Sequence, residues 1–213
     1  MNRRICISFA CYLLVANKAS FAQSDDHVSF FRALNVDAAD TVRELLAAGF
    51  DPNTPSEKGQ LPLYLAMRDR SFRSAAVLLE QPRLRLDATN AAGETALMMA
   101  ALRGHAQWVQ RLLERGAALE REGWTPLHYA ASGPGTEATA LLLQRGARID
   151  APSPNGSTAL MLSARYAPEE TVDLLLARGA NPKLRNQQGL GPADFARLGG
   201  RERLAERLDK VER

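Results

Sequence analysis

The stretch Gly123-Trp124-Thr125-Pro126-Leu127-His128-Tyr129-Ala130-Ala131 decides the fold of this chain. Thr125 carries a hydroxyl suited to capping a helix start. Pro126 follows at the first helical position, where a missing N–H costs nothing. Leu127 and Ala130 stand three apart and share one helix face. A single such stretch is only a hint, but this one recurs.

Taking the opening glycine as a marker, the frame falls at Gly59, Gly93, Gly123, Gly156 and Gly189, at spacings of 34, 30, 33 and 33 residues. The four residues that follow vary: Leu61-Pro62-Leu63-Tyr64, Thr95-Ala96-Leu97-Met98, Thr125-Pro126-Leu127-His128, Thr158-Ala159-Leu160-Met161 and Gly191-Pro192-Ala193-Asp194. A small residue then holds a close-packed position at Ala66, Ala100, Ala130, Ser163 and Ala196; one period earlier lies Ala33. Twelve residues after Ala33, Ala66, Ala100, Ala130 and Ser163 begins a leucine pair: Leu45-Leu46, Leu78-Leu79, Leu112-Leu113, Leu142-Leu143 and Leu175-Leu176. Gly49, Gly116, Gly146 and Gly179 end the second helices, as left-handed stops do. Pro82 takes that place once and predicts a different stop. The short spacing arises between Gly116 and Gly123, so one inter-repeat finger is trimmed just before Trp124.

Period, signature and leucine pair together resemble the ankyrin repeat, whose unit is a turn and two helices. The resemblance runs from about Asp26 to the C-terminus. It implies an all-α repeat solenoid of helix-turn-helix units with β-hairpin or loop fingers, about five repeats plus a capping unit. The units fall at about 26–56, 57–90, 91–120, 121–153, 154–186 and 187–213. It also implies that His128 bonds the backbone of the adjoining loop, and that Gly104-His105 forms the turn between two helices. Unit four departs from the pattern with Ser132-Gly133-Pro134-Gly135, which shortens its first helix.

Both ends read as caps. Phe30, Phe31 and Leu34 give the first unit an apolar face, with Asp25, Asp26 and Arg32 toward water. In the last unit Leu204, Leu208 and Val211 form one stripe among charges.

Residues 1–22 read as a secretory signal peptide. Arg3 and Arg4 precede an apolar run from Ile5 to Ala16, shorter than the ~20 residues a membrane span needs. Ser20 and Ala22 suit a peptidase site, giving a mature chain 23–213. A buried N-terminal helix and a retained anchor are the alternatives. Cys6 and Cys11 both lie in this leader, so the mature chain has no thiol. The precursor's formal charge is +3. Arg3, Arg4 and Lys18 account for it, since removing them from 27 basic residues gives parity with 24 acidic ones. Nothing in the mature charge points to nucleic acid, and no membrane insertion is expected after cleavage.

No metal-ligand spacing, phosphate loop or nucleophile elbow appears. His27 stands near the mature N-terminus and is expected to face water. The expected function is therefore non-catalytic, without metal or cofactor. It is a protein–protein interaction module, monomeric and periplasmic, or else secreted or anchored by an uncleaved N-terminus. Two alternatives stay open: an envelope accessory enzyme or stress-protective factor with a site assembled across repeats, and a secreted factor aimed at a host or competitor protein.

The resemblance implies a partner surface on the concave face, made of fingers and first helices. On it fall the residues after the markers, Gln60, Glu94, Trp124 and Ser157. The late first-helix positions Arg68, Asp69, Leu102, Arg103, Ser132, Gly133, Arg165 and Tyr166 join them. Tryptophan, tyrosine and arginine are the residues interface anchors favour. Trp124 has two readings, an interface anchor or a ring packed over its trimmed finger. Trp108 and the Met98-Met99 pair read as core.

Overall fold

The computed structural model describes residues 25–212. The expected leader and its expected cleavage site, with both cysteines, lie outside the described residues. The described chain is all helical, with no strand among the described residues. It divides into two compact units meeting at Leu84–Arg85.

The first unit holds α1 (25–35), α2 (Ala39–Ala47), α3 (Pro62–Asp69) and α4 (Phe72–Leu79). Its capping face forms as the pattern requires: Phe30, Leu34, Val42 and Leu78 are buried, while Asp25, Asp26 and Arg32 are exposed. Phe30 stacks on Phe50 at 4.2 Å between ring centres. His27 does not face water freely. It packs 4.8 Å from Phe31, and its Nε2 lies 3.0 Å from the Pro55 carbonyl oxygen. Asp37 accepts hydrogen bonds from the N–H groups of Arg73 (3.1 Å) and Ser74 (2.7 Å), capping α4 from the preceding repeat. The α4 stop does differ: Gln81, just before Pro82, closes its N–H on the Leu78 carbonyl at 3.0 Å as the glycines of the other stops do, but without their left-handed φ, and its side chain bonds the Val77 carbonyl.

The second unit holds α5 (Ala96–Leu102), α6 (Ala106–Glu114), α7 (Pro126–Ala130), α8 (Glu137–Gln144), α9 (Ala159–Tyr166), α10 (Glu169–Ala177), α11 (Pro192–Leu198) and α12 (Glu202–Glu212). The first helices α5, α7, α9 and α11 pack in succession, and each also packs on the second helix of its own pair. Leu97, Leu112, Leu127, Leu142, Leu160 and Leu175 are each 2% exposed or less. Ala100, Ala130 and Ala196 are fully buried, as close helix contact requires. Trp108 is core-facing, with the Arg111 guanidinium 4.2 Å from its ring centre. Met98 and Met99 are buried. Leu204 and Leu208 seat α12, whereas Val211, expected on the same stripe, is 46% exposed at the helix end.

The fingers are tight turns without strand ladders. At Asn90 and Asn186 the side-chain oxygen accepts two backbone N–H groups each, all at 3.0 Å. Carboxylates tie repeat to repeat. Asp87 accepts from the Ala118 N–H (2.8 Å), Glu120 from Arg148 (2.8 Å) and Asp150 from Asn181 (3.0 Å).

Candidate interaction surface

The surface in the second unit begins at the trimmed finger. With three residues missing, its turn is held from both sides by side chains. Arg121 Nη1 donates to the Gly93 carbonyl at 2.6 Å, and Glu120 takes the Arg148 backbone and guanidinium. The finger therefore presents Trp124 from a fixed backbone. The indole meets the His128 ring edge to face, 5.4 Å between centres at 81°, and remains 37% exposed. The ring thus packs locally on His128, not over Glu120–Glu122, and part of it stays open.

Beneath it, His128 is 1% exposed. The Thr125 N–H donates to Nδ1 at 3.1 Å, so Nδ1 is the unprotonated nitrogen. Nε2 then carries the hydrogen and donates to the Ser157 carbonyl at 3.0 Å, the loop-backbone bond the resemblance implies. Burial is the leading cause that lowers the His128 pKa, against the opposing bond to Ser157. Thr125 is the N-cap of α7 in a capping box with His128, and its hydroxyl lies 2.9 Å from Nδ1; the Thr95 and Thr158 hydroxyls accept from the N–H groups of Met98 and Met161.

Glu94, the corresponding residue one finger earlier, is half-buried. It accepts from the Tyr129 hydroxyl at 3.1 Å and from Asn90 Nδ2 at 2.9 Å. Ser157 is not on the surface: it is 1% exposed beneath the neighbouring finger. Gly133 is also buried, because a Cβ there would stand 2.8 Å from the Leu102 carbonyl oxygen. Ser132 is half-buried and donates its hydroxyl to the His128 carbonyl at 2.9 Å. Along the first-helix ends, Leu102 and Arg165 are half-buried, and Arg103 and Tyr166 are exposed. Arg165 lies over the Tyr166 ring, 5.0 Å from its centre. Tyr129 and Leu198 also belong to this face and escaped the sequence reading. Leu198, 54% exposed, stands nine residues after Gly189 as Arg165 does after Gly156, a register that could have found it.

Gln60, Arg68 and Asp69 lie in the first unit, where they line a groove of about 410 Å³ with Phe31, Leu34 and Leu65. Arg68 holds Asp69 through two bonds of 2.7 Å, and that bond is the main reason its pKa is raised. Among the described residues no three His, Cys, Asp or Glu side chains come together to hold a metal, and no helix is long and apolar enough to cross a membrane.

Known proteins share this repeat. The family model described as ankyrin repeats in three copies matches residues 30–122, 74–153 and 117–186. The B-cell lymphoma 3 protein homolog of Mus musculus is 32% identical over 165 residues, covering 74% of this chain and 37% of that protein. The ankyrin repeat and KH domain-containing protein 1 of Homo sapiens is 40% identical over 103 residues, 46% of this chain and 4% of its own length. The chain thus spans well under half of these relatives. Among solved structures, a chain of the Bd0816 predatory endopeptidase of Bdellovibrio bacteriovorus in complex with immunity protein Bd3460 superposes with a TM-score of 0.73. It is 26% identical, with 85% of this chain and 97% of that chain covered. With the matched repeats spanning residues 30–186 and the helix pairs in register with them, this chain belongs to the ankyrin-repeat family.

Proposed function

We propose that this chain is an exported, non-catalytic binding module that engages a protein partner through the finger and first-helix surface around Arg103, Trp124, Arg165 and Tyr166. The observation that carries the reading is Trp124. A partly open indole on a turn locked by Arg121 and Glu120 is a pre-organised anchor, which loses little entropy on binding. Tyr166, 56% exposed, adds a second aromatic on the same unit. The export part of the reading is supported by the basic start, short apolar run and small-residue site of residues 1–22, and a periplasmic mature protein goes with it.

One observation favours a more specific reading. The solved neighbour belongs to a complex of an endopeptidase with an immunity protein, and nearly its whole length aligns with this chain. That complex supports reading the partner as a peptidase held in check by this protein.

A cross-linked pull-down from the cell envelope tests both levels. It compares the wild type with a Trp124→Ala, Arg103→Ala double variant whose melting curve matches. A partner caught only by the wild type supports the surface, and equal capture by both removes it. Peptide hydrolysis by the captured partner, suppressed on adding the protein, supports the specific reading. A partner without hydrolytic activity overturns it. N-terminal sequencing of the exported protein checks for a start at Gln23.

A further inference from the structure

A groove of about 410 Å³ lies within the first unit, between α1, the finger at 56–60 and α3. Phe31, Leu34 and Leu65 give it an apolar floor. Leu34 is buried, and Phe31 and Leu65 are half-buried. The volume is at the low end of the roughly 300–1,000 Å³ of small-ligand sites, with room for about two residues of an extended chain.

Its walls are fixed before anything binds. The Phe31 ring stands edge to face with Phe30, 5.4 Å between centres at 83°, and Phe30 stacks on Phe50. His27 ties α1 to the segment that leads into the finger, its Nε2 3.0 Å from the Pro55 carbonyl oxygen. The finger closes on itself: the Ser56 N–H donates to the Gln60 carbonyl and the Gly59 N–H to the Ser56 carbonyl, both at 2.8 Å. A preformed groove loses little entropy when it is filled.

The rim decides the charge of the occupant. Arg68 and Asp69 hold each other through two bonds of 2.7 Å, so together they add no net charge. Arg32, Glu57 and Lys58 are exposed, and none of the three joins an ion pair among the described residues. Among the Lys, Arg, Asp and Glu side chains of the rim, one positive charge is left over, and one carboxylate brings it to neutrality. Glu57 stands directly before Lys58 on the finger tip. Arg32 has no acid on its own helix face: Val28, Ser29, Asn35 and Val36, three and four residues away, are uncharged.

We infer that this groove binds the C-terminal residue of a partner chain, one with an apolar side chain. The side chain lies on Phe31, Leu34 and Leu65. The terminal carboxylate meets Arg32, with Lys58 on the finger side, and the Asn35 amide oxygen accepts the N–H of that last residue. One residue then supplies both the apolar group and the single negative charge, as so small a space requires. A guanidinium receives a carboxylate through two parallel bonds, whereas the Lys58 ammonium acts as a point charge.

The test follows the fluorescence anisotropy of labelled hexapeptides on the full chain, with circular dichroism and melting to show that every variant is folded. The first peptide ends in phenylalanine with a free carboxylate. The second is its C-terminal amide, and the third carries an internal phenylalanine–aspartate pair and an amidated end. Saturable binding of the first is expected, with the other two weaker by about tenfold or more. Arg32→Gln should weaken the first peptide by about tenfold and leave the amide unchanged, because the two changes remove one and the same contact. Leu65→Gln, which leaves the charges intact, should weaken the first peptide and its amide alike. No saturable binding of the first peptide, equal binding of the amide or of the internal pair, or a loss on Arg32→Gln that the amide shows just as strongly overturns the inference. A second copy as the occupant would appear as a dimer in sedimentation that Leu65→Gln dissociates, with no peptide bound, and overturns it too. None of these outcomes bears on Trp124, which belongs to the second unit.

Discussion

Trp124 covers His128: the indole edge stands over an imidazole that is itself 1% exposed and bonded at both nitrogens. The ring is locked neutral, because protonating Nδ1 would set two N–H groups against each other at Thr125. Burial lowers its pKa below the ordinary 6.5. The unfolded chain then binds a proton that the folded one refuses. Stability from this group is full above pH 6.5 and is lost as pH falls through 6.5 toward the folded value. Denaturant midpoints measured between pH 7.5 and 5.5 should fall for the wild type more than for His128→Met, which keeps His27 and His105. Parallel curves for the two proteins would show that His128 does not titrate differently on folding.

The comparison with methionine has a structural basis. In two neighbouring repeats the same position holds Met98 and Met161, whose sulfurs accept the Thr95 and Thr158 N–H groups at 3.5 Å. In the last repeat Asp194 accepts from the Gly191 N–H at 2.9 Å. Three chemistries perform one task, returning an acceptor to the helix-start N–H. His128→Met keeps that acceptor and loses the bond to Ser157 together with the ring contact to Trp124, costing about 1 kcal/mol. His128→Ala strands the Thr125 N–H as well and opens a cavity, costing about 3 kcal/mol or more. Urea denaturation of both variants checks the order, and equal losses would refute the shared-acceptor account.

Those substitutions show where the sequence was legible. The marker glycines, small residues and leucine pairs repeat because close packing and left-handed turns leave few alternatives, so the fold could be read directly. The Thr-Ala-Leu-Met frames showed only as variants of the signature, since a sulfur's role as acceptor depends on rotamer and distance. Ser157 looked like Glu94 and Trp124 by register. It is buried because the finger of the next repeat covers it: the Gln187 N–H donates to the Asn155 carbonyl at 3.0 Å, and Asn186 packs against Gly156. His27 looked solvated because nothing nearby in sequence announces Phe50 or Pro55. Contacts between repeats, rather than within them, were the part that spacing could not supply.

Arg70 occupies the turn between α3 and α4 with φ 64°, the left-handed region that Gly104 occupies at the same register with φ 69°. A side chain there costs about 1 kcal/mol, and Arg70 is exposed, so little packing offsets it. Arg70→Gly should raise stability by up to about 1 kcal/mol, and Arg70→Val should lower it. Thermal melting of the pair decides the matter, and a glycine variant less stable than wild type by more than about 0.5 kcal/mol would exclude strain at this turn.

Arg201 closes the C-terminal end of α9 from the following repeat. Its Nη1 lies 3.2, 3.0 and 2.7 Å from the carbonyl oxygens of Ser163, Ala164 and Ala167. The α9 C-cap, Ala167, is extended instead of left-handed, so the helix end lacks the glycine stop used elsewhere and leaves carbonyls to be satisfied. A guanidinium there also complements the negative end of the helix. Arg201→Met keeps most of the stem and removes the charge-assisted bonds, and should cost about 2–3 kcal/mol. Because Arg201 sits at the start of α12, the loss should loosen the terminal helix first. Amide hydrogen exchange should quicken across α12 and the end of α9 before α5 or α7 responds. Uniform acceleration throughout the second unit would instead mean that the repeats open together, with Arg201 acting on global stability alone.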